Sequence, residues 1–209
     1  MSRPTISKDR RLTDFGIPAI NGQVVDVPRS TYYGAANAKD VDVSRSEVLS
    51  QTLTFAHRFS DSLSFRNGFR HYRYTLDRHN TNATAVNAAA RTVSLSHGGI
   101  LRDEDGWSNQ SKLTQRVELG GTKHTILYGV EFSQQVKDAS TIQSRVVAVT
   151  PIHAPVLPTL SNANFTALSA QSISVMETRG LYVQDFVEFG HGIKALVGCA
   201  TTGSNRKPA

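Results

Sequence analysis

The chain has 209 residues and a formal net charge of +6, with 39% hydrophobic and 19% charged residues. This length fits one ordinary domain or two small ones, and Ser and Thr replace part of the usual apolar and charged share. The sequence contains no apolar run long enough for a transmembrane helix, no signal peptide after Met1, and a single cysteine, Cys199, which excludes an internal disulfide.

Three parts of the chain alternate between apolar and polar residues with few exceptions, which predicts β-strands with one apolar and one polar face. Each part is divided by a short polar or glycine-containing turn, and this pattern is typical of a β-hairpin. The hairpins cover residues 47–76, 113–132 and 181–197, with turns at 60–62, 120–122 and 190–192. Asp185 falls between Val183 and Val187 on an apolar face, so we expect a bulge or a cross-strand partner there.

The connections between the hairpins are long and polar, and we expect irregular structure at residues 1–44, 77–91 and 138–177. Short turns at one edge and long loops at the other are typical of a transmembrane β-barrel. The strands at 47–59 and 63–76 are longer than the roughly 5–6 residues usual in soluble proteins. Residues 92–118 are compatible with one long projecting strand. Trp107 and Tyr182 are candidates for an interfacial aromatic girdle or for simple strand packing.

Several sequence runs resemble one protein family, the TonB-dependent siderophore receptors of bacterial outer membranes. The runs are GLYVQD at 180–185 with IKALVG at 193–198, NQSKLT at 109–114 with GGTKHTILYGVE at 120–131, and VDVPRSTYYG at 25–34. They occur in the order that the family has them and span residues from about 14 to 199. The resemblance implies an all-β antiparallel meander that forms part of a 22-stranded outer-membrane β-barrel.

The same resemblance divides the chain into three segments. Residues 1–44 correspond to an extracellular-type loop with an incomplete preceding strand, and residues 45–199 to about six barrel strands. Residues 200–209 depart from the family pattern and are predicted to form a polar tail. The N-terminal plug of the family is absent from this chain.

The implied function is that of a fragment of an outer-membrane receptor for TonB-dependent uptake of ferric siderophores, which would not transport alone. Its expected partners are a ferric siderophore, outer-membrane lipid, the plug and remaining strands of the full-length receptor, and TonB in the intact family member only. We expect no cofactor, because iron enters only within the siderophore ligand. The basic residues are scattered singly, which argues against nucleic acid as a partner.

Seven residues are candidates for ligand binding, because guanidinium groups and tyrosines suit the anionic oxygens of a ferric siderophore. They are Arg66, Arg70, Tyr72 and Tyr74 on one strand face, and Arg29, Tyr32 and Tyr33 in the first predicted loop. The strand residues are more often an ordinary polar barrel wall, because barrel interiors are polar with or without a ligand. The loop residues are equally compatible with a cluster that folds the loop on itself.

The sequence carries no catalytic motif and no histidine pair with metal-ligand spacing, so we expect neither an enzyme nor a metal site. Two alternatives to the receptor interpretation remain: a soluble all-β binding module and a gene remnant without function. The soluble module requires an internal apolar core. It would be favoured by a structure in which Leu53, Phe65 and Val130 converge on one dry interior.

Overall fold

The computed structural model describes residues 5–9, 16 and 18–208, and most of these residues belong to one antiparallel β-sheet. The strands are β1 (Thr5–Asp9), β2 (Ala19–Ile20), β3 (Gln23–Val24), β4 (Ser44–Arg58), β5 (Leu63–Asn87), β6 (Thr92–Leu119), β7 (Thr122–Pro151), β8 (Leu168–Gly190) and β9 (Ile193–Pro208), with one short helix, α1 (Ala38–Val41), and a 3₁₀ turn (Asn162–Asn164). The large sheet has the order β1-β4-β5-β6-β7-β8-β9, so β4 to β9 form a continuous meander. The predicted all-β antiparallel meander is confirmed.

The cross-strand register keeps the apolar residues of successive strands on one side of the sheet. Leu53 lies opposite Phe69, and Val130 lies opposite Leu181. We call this side the apolar face and the other side the polar face. Leu53 is 71% and Leu181 58% exposed, so these side chains do not meet in a shared interior. A single layer with an uncovered apolar face is the arrangement that a barrel wall has and that a soluble module lacks.

The glycine-containing turns of the second and third hairpins form as predicted. Gly120 and Gly121 have φ angles of 57° and 80°, which are the positive values that a two-residue type I′ hairpin turn requires. At the β8–β9 turn, Gly190, His191 and Gly192 all have positive φ angles. Glycine adopts this conformation at little cost, because it has no Cβ atom to collide with the following carbonyl group.

The strands continue through much of the sequence predicted to be irregular. Residues 77–87 extend β5, and residues 138–151 and 168–177 extend β7 and β8. The long β6 prediction is confirmed, because its pairing with β5 and β7 extends over nearly its whole length. Residues in these extensions do not alternate regularly in polarity, so the sequence pattern did not reveal them as strands. Backbone pairing, which leaves no mark on side-chain periodicity, holds these strands together.

One of the predicted segments differs from the structure. Residues 200–208 were expected to form a polar tail, but they continue β9, and Arg206 pairs with Met176 of β8. Within residues 1–44, where an incomplete strand was expected to precede the loop, residues 5–9 form β1 and pair with β4. Residues 1–4, 10–15 and 17 of that segment lie outside the described residues.

Asp185 is accommodated by a pairing partner. Its Oδ2 atom lies 2.7 Å from Nδ1 of His124 on the neighbouring β7, and the register is regular at this point. Trp107 lies on the apolar face, where its ring stacks on Phe69 at a centroid distance of 6.4 Å and its indole N–H donates to Gln134. Tyr182 lies on the polar face instead, where its ring covers Gly129. The structure therefore excludes Tyr182 from an outward-facing aromatic girdle.

The buried apolar cluster of the described chain lies at the far end of the long strands, away from the short turns. It consists of Val27, Tyr33, Val93, Leu95 and Ile152. Two connections supply residues to it: 18–43, before β4, and 152–167, between β7 and β8. In the described part of the chain, no helix is long and apolar enough to cross a membrane.

Candidate functional site

The four strand residues predicted to bind ligand share the polar face of β5. Arg66, Arg70, Tyr72 and Tyr74 occupy alternate positions of one uninterrupted register with β4 and β6. Arg70 is held in place because its Nε donates to Ser50 Oγ at 3.0 Å and its guanidinium lies 5.8 Å from the Tyr72 ring centroid. The structure therefore brings cationic and aromatic groups together on one wall.

Tyr72 adjoins a polar group that the sequence patterns did not reveal. Its ring lies across Gly106, directly opposite on β6, where an added Cβ would come within 2.7 Å of it. Beside it, Gln135 Nε2 donates to Glu104 Oε2 at 3.0 Å, and Arg102 Nη1 lies 3.7 Å from Glu104 Oε1. Glu104, Arg102 and Gln135 lie in parts of β6 and β7 where polarity does not alternate, so no periodic signal marked their face. Only knowledge of the register between β6 and β7 would have found them.

Positive charge dominates the polar face away from the short turns. The basic side chains that the register places there are Arg66, Arg70, Arg78, Arg102, Lys112, Lys137 and Arg206. The acidic ones are Glu104 and Glu131. By contrast, Asp103, Asp105 and Asp138 lie on the opposite side of the same strands. The polar face thus has an excess of cations that favours an anionic ligand.

The three loop residues predicted to bind ligand are distant from this wall and have different surroundings. Arg29 is exposed, whereas Tyr33 is 2% exposed and its hydroxyl donates to the Ile152 carbonyl oxygen at 2.6 Å. Tyr32 packs across Gly34 and hydrogen-bonds to Asp42. The Tyr33 side chain therefore stabilises the buried cluster in this conformation and is not available to a ligand.

The two connections interlock, and we call residues 18–43 and 152–167 together the loop clasp. The backbone N–H of Ala36 donates to the Pro158 carbonyl oxygen at 2.8 Å, and the Asn37 amide exchanges two hydrogen bonds with the backbone of Leu160. The clasp is attached to β5 and β6 on the side that carries Thr81 and His97, which is the apolar-face side. The clasp and the polar-face arginines are therefore on opposite sides of the sheet.

A buried polar group fastens the clasp to the strands. Thr81 Oγ1 donates to Asp42 Oδ1 at 2.8 Å and lies 2.9 Å from His97 Nδ1, while His97 Nε2 lies 3.1 Å from Asn162 Oδ1. Burial raises the pKa of Asp42 and lowers the pKa of His97, because both groups lose the hydration of their charged forms. Within the described residues, no three His, Cys, Asp or Glu side chains are arranged to hold a metal ion.

The sequence and the fold of this chain are similar to those of known proteins. The family model for the TonB-dependent receptor-like β-barrel matches residues 3–199. The closed form of the Escherichia coli K12 ferric-catecholate import receptor Fiu is 18% identical, with a TM-score of 0.78, and the match covers 98% of this chain and 31% of that one. The Acinetobacter baumannii siderophore receptor PiuA is also 18% identical, with a TM-score of 0.69, and the match covers 98% of this chain and 36% of that one.

A third similar structure is FpvA of Pseudomonas aeruginosa in complex with an iron-loaded heterologous pyoverdine, which is 13% identical with a TM-score of 0.70. That match covers 93% of this chain and 26% of FpvA. Likeness at these identities shows the fold, and the chain spans about a third of the length of Fiu and PiuA. The family match over residues 3–199 and the shared meander together show that the chain belongs to the TonB-dependent receptor β-barrel family.

Proposed function

We propose that this chain forms part of the wall of an outer-membrane receptor that binds an anionic ferric siderophore on its polar face. The observation that carries the proposal is the concentration of guanidinium groups and tyrosines on one side of strands whose other side is apolar and exposed. The plug, the remaining barrel strands and TonB would supply energy-coupled uptake in the complete receptor. Iron would enter as part of the ligand and not as a resident cofactor.

The two faces of the sheet support a membrane location. In a transmembrane barrel the outward residues meet lipid and the inward residues meet water, and the two sets alternate along each strand. Here Leu53 and Phe55 are 71% and 57% exposed on the apolar face, while Thr52 and Thr54 occupy the polar one. The buried cluster of the soluble alternative would have to cover these side chains, yet that cluster lies at the strand tips. The proposed partner of the apolar face is therefore outer-membrane lipid.

The chemistry of the polar face favours carboxylate or catecholate oxygens as ligand atoms. Arginine remains protonated and presents a planar fork of donors that matches paired oxygens. Arg70 is oriented by Ser50 and by the Tyr72 ring, so little side-chain entropy is lost when it contacts a ligand. Arg66 and Tyr74 extend the same surface in the two directions along β5. Arg29 and Tyr32 belong to the clasp and would contact the ligand only if the clasp moved.

Binding of a ferric tris-catecholate complex to the full chain in detergent tests this proposal. We expect Arg66→Gln and Arg70→Gln each to weaken binding about tenfold, as is usual for the loss of a charge-assisted hydrogen bond. Arg58→Gln is the matched control, because Arg58 shares the polar face but lies beside the short turn with a side chain 67% exposed. Equal affinity of all three variants and the parent chain would contradict a ligand role for the polar face.

A further inference from the structure

An apolar groove lies on the apolar face, between the short turns and the level of Trp107. Its volume is about 460 Å³, and its lining includes the large side chains of Phe65, Leu113, Tyr128, Leu181 and Val183. The surface is hollow there because small side chains, Ser111, Cys199 and Thr201, lie among the large ones. Ser111 Oγ accepts a hydrogen bond from Asn67 Nδ2 at 2.8 Å, so this polar atom already has a partner.

A polar cavity of about 250 Å³ adjoins the groove on the side away from the short turns. Its lining includes Trp107, Phe132, Gln134, Glu177 and Arg179. Val130 and Leu181 are paired in the groove, and Phe132 and Arg179 are paired in the polar cavity, two residues further along the same strands. Two residues of a strand correspond to roughly 7 Å. The groove and the cavity therefore fit one elongated molecule with an apolar part and a polar part.

The polar cavity presents one cation and one anion side by side on β8. The Trp107 indole N–H donates to Gln134 Oε1 at 3.3 Å, and Gln134 Nε2 donates to Glu177 Oε1 at 3.4 Å. This network occupies one oxygen of the Glu177 carboxylate and leaves the other to a ligand. Among the described residues, no carboxylate forms an ion pair with the Arg179 guanidinium. The cavity thus suits a group that carries a negative and a positive charge close together.

The polar cavity lies where the apolar face changes from apolar to charged side chains. Trp107 is opposite His71, and the next pair on the same face of β5 and β6 is Arg73 with Asp105. Tryptophan is enriched at membrane–water interfaces, because its ring is apolar and its N–H group is polar. A lipid whose acyl chain fills the groove would therefore have its headgroup at the polar cavity.

We infer that the apolar groove and the polar cavity together bind a lipid whose headgroup carries a phosphate and a primary ammonium group. The Arg179 fork would receive the phosphate oxygens, Glu177 would accept hydrogen bonds from the ammonium, and one acyl chain would fill the groove. This inference rests on the proposed membrane location of the apolar face. It adds a preference among lipids that a merely apolar wall does not have.

Fluorescence of Trp107 tests the site, because Trp107 is the single tryptophan of the chain. The probes are phosphatidylethanolamine and phosphatidylglycerol with the same brominated acyl chains, added to the full chain in detergent micelles. Bromine quenches tryptophan only at short range, and only the first lipid carries an ammonium group. We expect phosphatidylethanolamine to reach half-maximal quenching at a mole fraction about tenfold lower, because Glu177 attracts its ammonium and repels the net negative charge of the other lipid. Equal mole fractions for the two lipids would overturn the site.

Substitutions assign the two headgroup contacts. Glu177→Gln should remove the preference between the lipids, and Arg179→Gln should raise the half-quenching mole fraction of both lipids about tenfold. Arg73→Gln is the matched control, because the Arg73 side chain is 69% exposed on the same face but lies beside Asp105 and outside the groove and the cavity. Equal effects of Arg73→Gln and Arg179→Gln would show that surface charge alone attracts the lipid, and the site would be wrong.

The same measurement separates this inference from the proposed function. If neither brominated lipid quenches Trp107, the apolar face does not meet lipid, and the proposed membrane location fails together with the site. If both lipids quench at equal mole fractions, the face meets lipid and only the site fails. The ligand role of the polar face is tested independently, by binding of the ferric complex to the Arg66→Gln and Arg70→Gln variants.

Discussion

Tyrosine rings on the polar face cover glycines of the neighbouring strand at two places, Tyr72 at Gly106 and Tyr182 at Gly129. Glycine lowers strand stability because it has no side chain to pack, and a ring laid across it restores the lost contact. The sequence alone left two alternatives for Tyr182, an interfacial girdle and simple strand packing. The register decides between them.

The ring–glycine contact predicts that substitution by alanine lowers stability at one glycine of the polar face and not at another. Gly129→Ala should destabilise the sheet by about 1–3 kcal/mol, because the new methyl group would occupy the space of the Tyr182 ring. Gly68→Ala is the control, since an added Cβ there meets no atom within 4 Å, and we expect it to change stability by less than about 0.5 kcal/mol. Urea unfolding of both variants in detergent measures the difference, and equal free energies would contradict the packing argument.

His124 and Asp185 form a pair of polar side chains that contact each other across two neighbouring strands. The two side chains are 19% and 30% exposed, and apolar residues such as Val183 and Ile126 are their neighbours on the apolar face. The sequence predicted that Asp185 needs a bulge or a partner, and the structure shows the partner. It did not predict which residue this is, because His124 is 61 positions away and only the β7–β8 register brings it near.

Removing one member of the pair should cost more than removing both. His124→Leu leaves an uncompensated carboxylate on the apolar face and should lower the free energy of unfolding by about 2–4 kcal/mol. The double variant with Asp185→Leu should recover most of that loss, because two apolar groups suit the face. A double-mutant cycle in lipid vesicles measures the coupling. Additive effects of the two single substitutions would show that the pair does not act as a unit.

Among the structural elements, the strands within the alternating segments were predictable and the strand extensions were not. Residues 47–59 and 63–76 alternate because one face meets an apolar medium and the other a polar one. Residues 77–87 and 138–151 do not alternate regularly, so their composition resembles that of a loop. The candidate site divides in the same way: Arg66 and Arg70 lie in an alternating segment and were found, whereas Arg102 and Glu104 lie in a part of β6 that does not alternate.

The loop clasp is the element whose stability should depend on pH through two opposing groups. Burial raises the pKa of Asp42 from 3.8, so the closed clasp binds this proton more tightly than the open clasp does. Protonation of Asp42 therefore stabilises the closed clasp at low pH, and this stabilisation is lost as pH rises through the raised pKa. The pKa of His97 is lowered from 6.5 by burial, so the open clasp binds this proton first and acidification favours opening. The ring of His79 stacks on His97 at a centroid distance of 5.9 Å, and its charge lowers the pKa of both Asp42 and His97.

Single substitutions should separate the pH dependence that Asp42 contributes from the pH dependence that His97 contributes. Asp42→Asn removes the opposing carboxyl group, so the effect of His97 should remain and opening of the clasp should rise as pH falls below 6.5, by at most about tenfold per pH unit for this group. His97→Gln removes the opposing imidazole, so the effect of Asp42 should remain and opening should rise as pH increases above 3.8. The parent chain should vary less steeply than either variant. Hydrogen exchange at the Ala36 and Leu160 amides reports opening, and a parent profile steeper than both variants would contradict the compensation.

At the scale of the whole molecule, the sheet separates three properties that a soluble protein mixes. Exposed apolar side chains concentrate on one face, most cationic side chains of the barrel wall on the other, and the buried cluster lies at the strand tips. Alternation in the sequence was sufficient to predict the first separation. The buried cluster was not predictable, because Tyr33 and Ile152 come from connections 119 positions apart, and nothing local indicates that they meet.

The separation of faces gives the last prediction, which tests the membrane location of the sheet. Leu181→Lys places a charge on the apolar face and should destabilise the sheet in lipid vesicles by about 2–4 kcal/mol if the site lies near mid-depth. Thr178→Lys is the matched control at a nearby polar-face position of the same strand, and it should have little effect because that face meets water. Denaturant unfolding in vesicles measures both. Leu181 is exposed in the sheet. In aqueous buffer, where no lipid is present, the lysine variant should therefore have the same free energy of unfolding as the parent chain. A large loss in vesicles together with no loss in buffer requires that acyl chains cover this face.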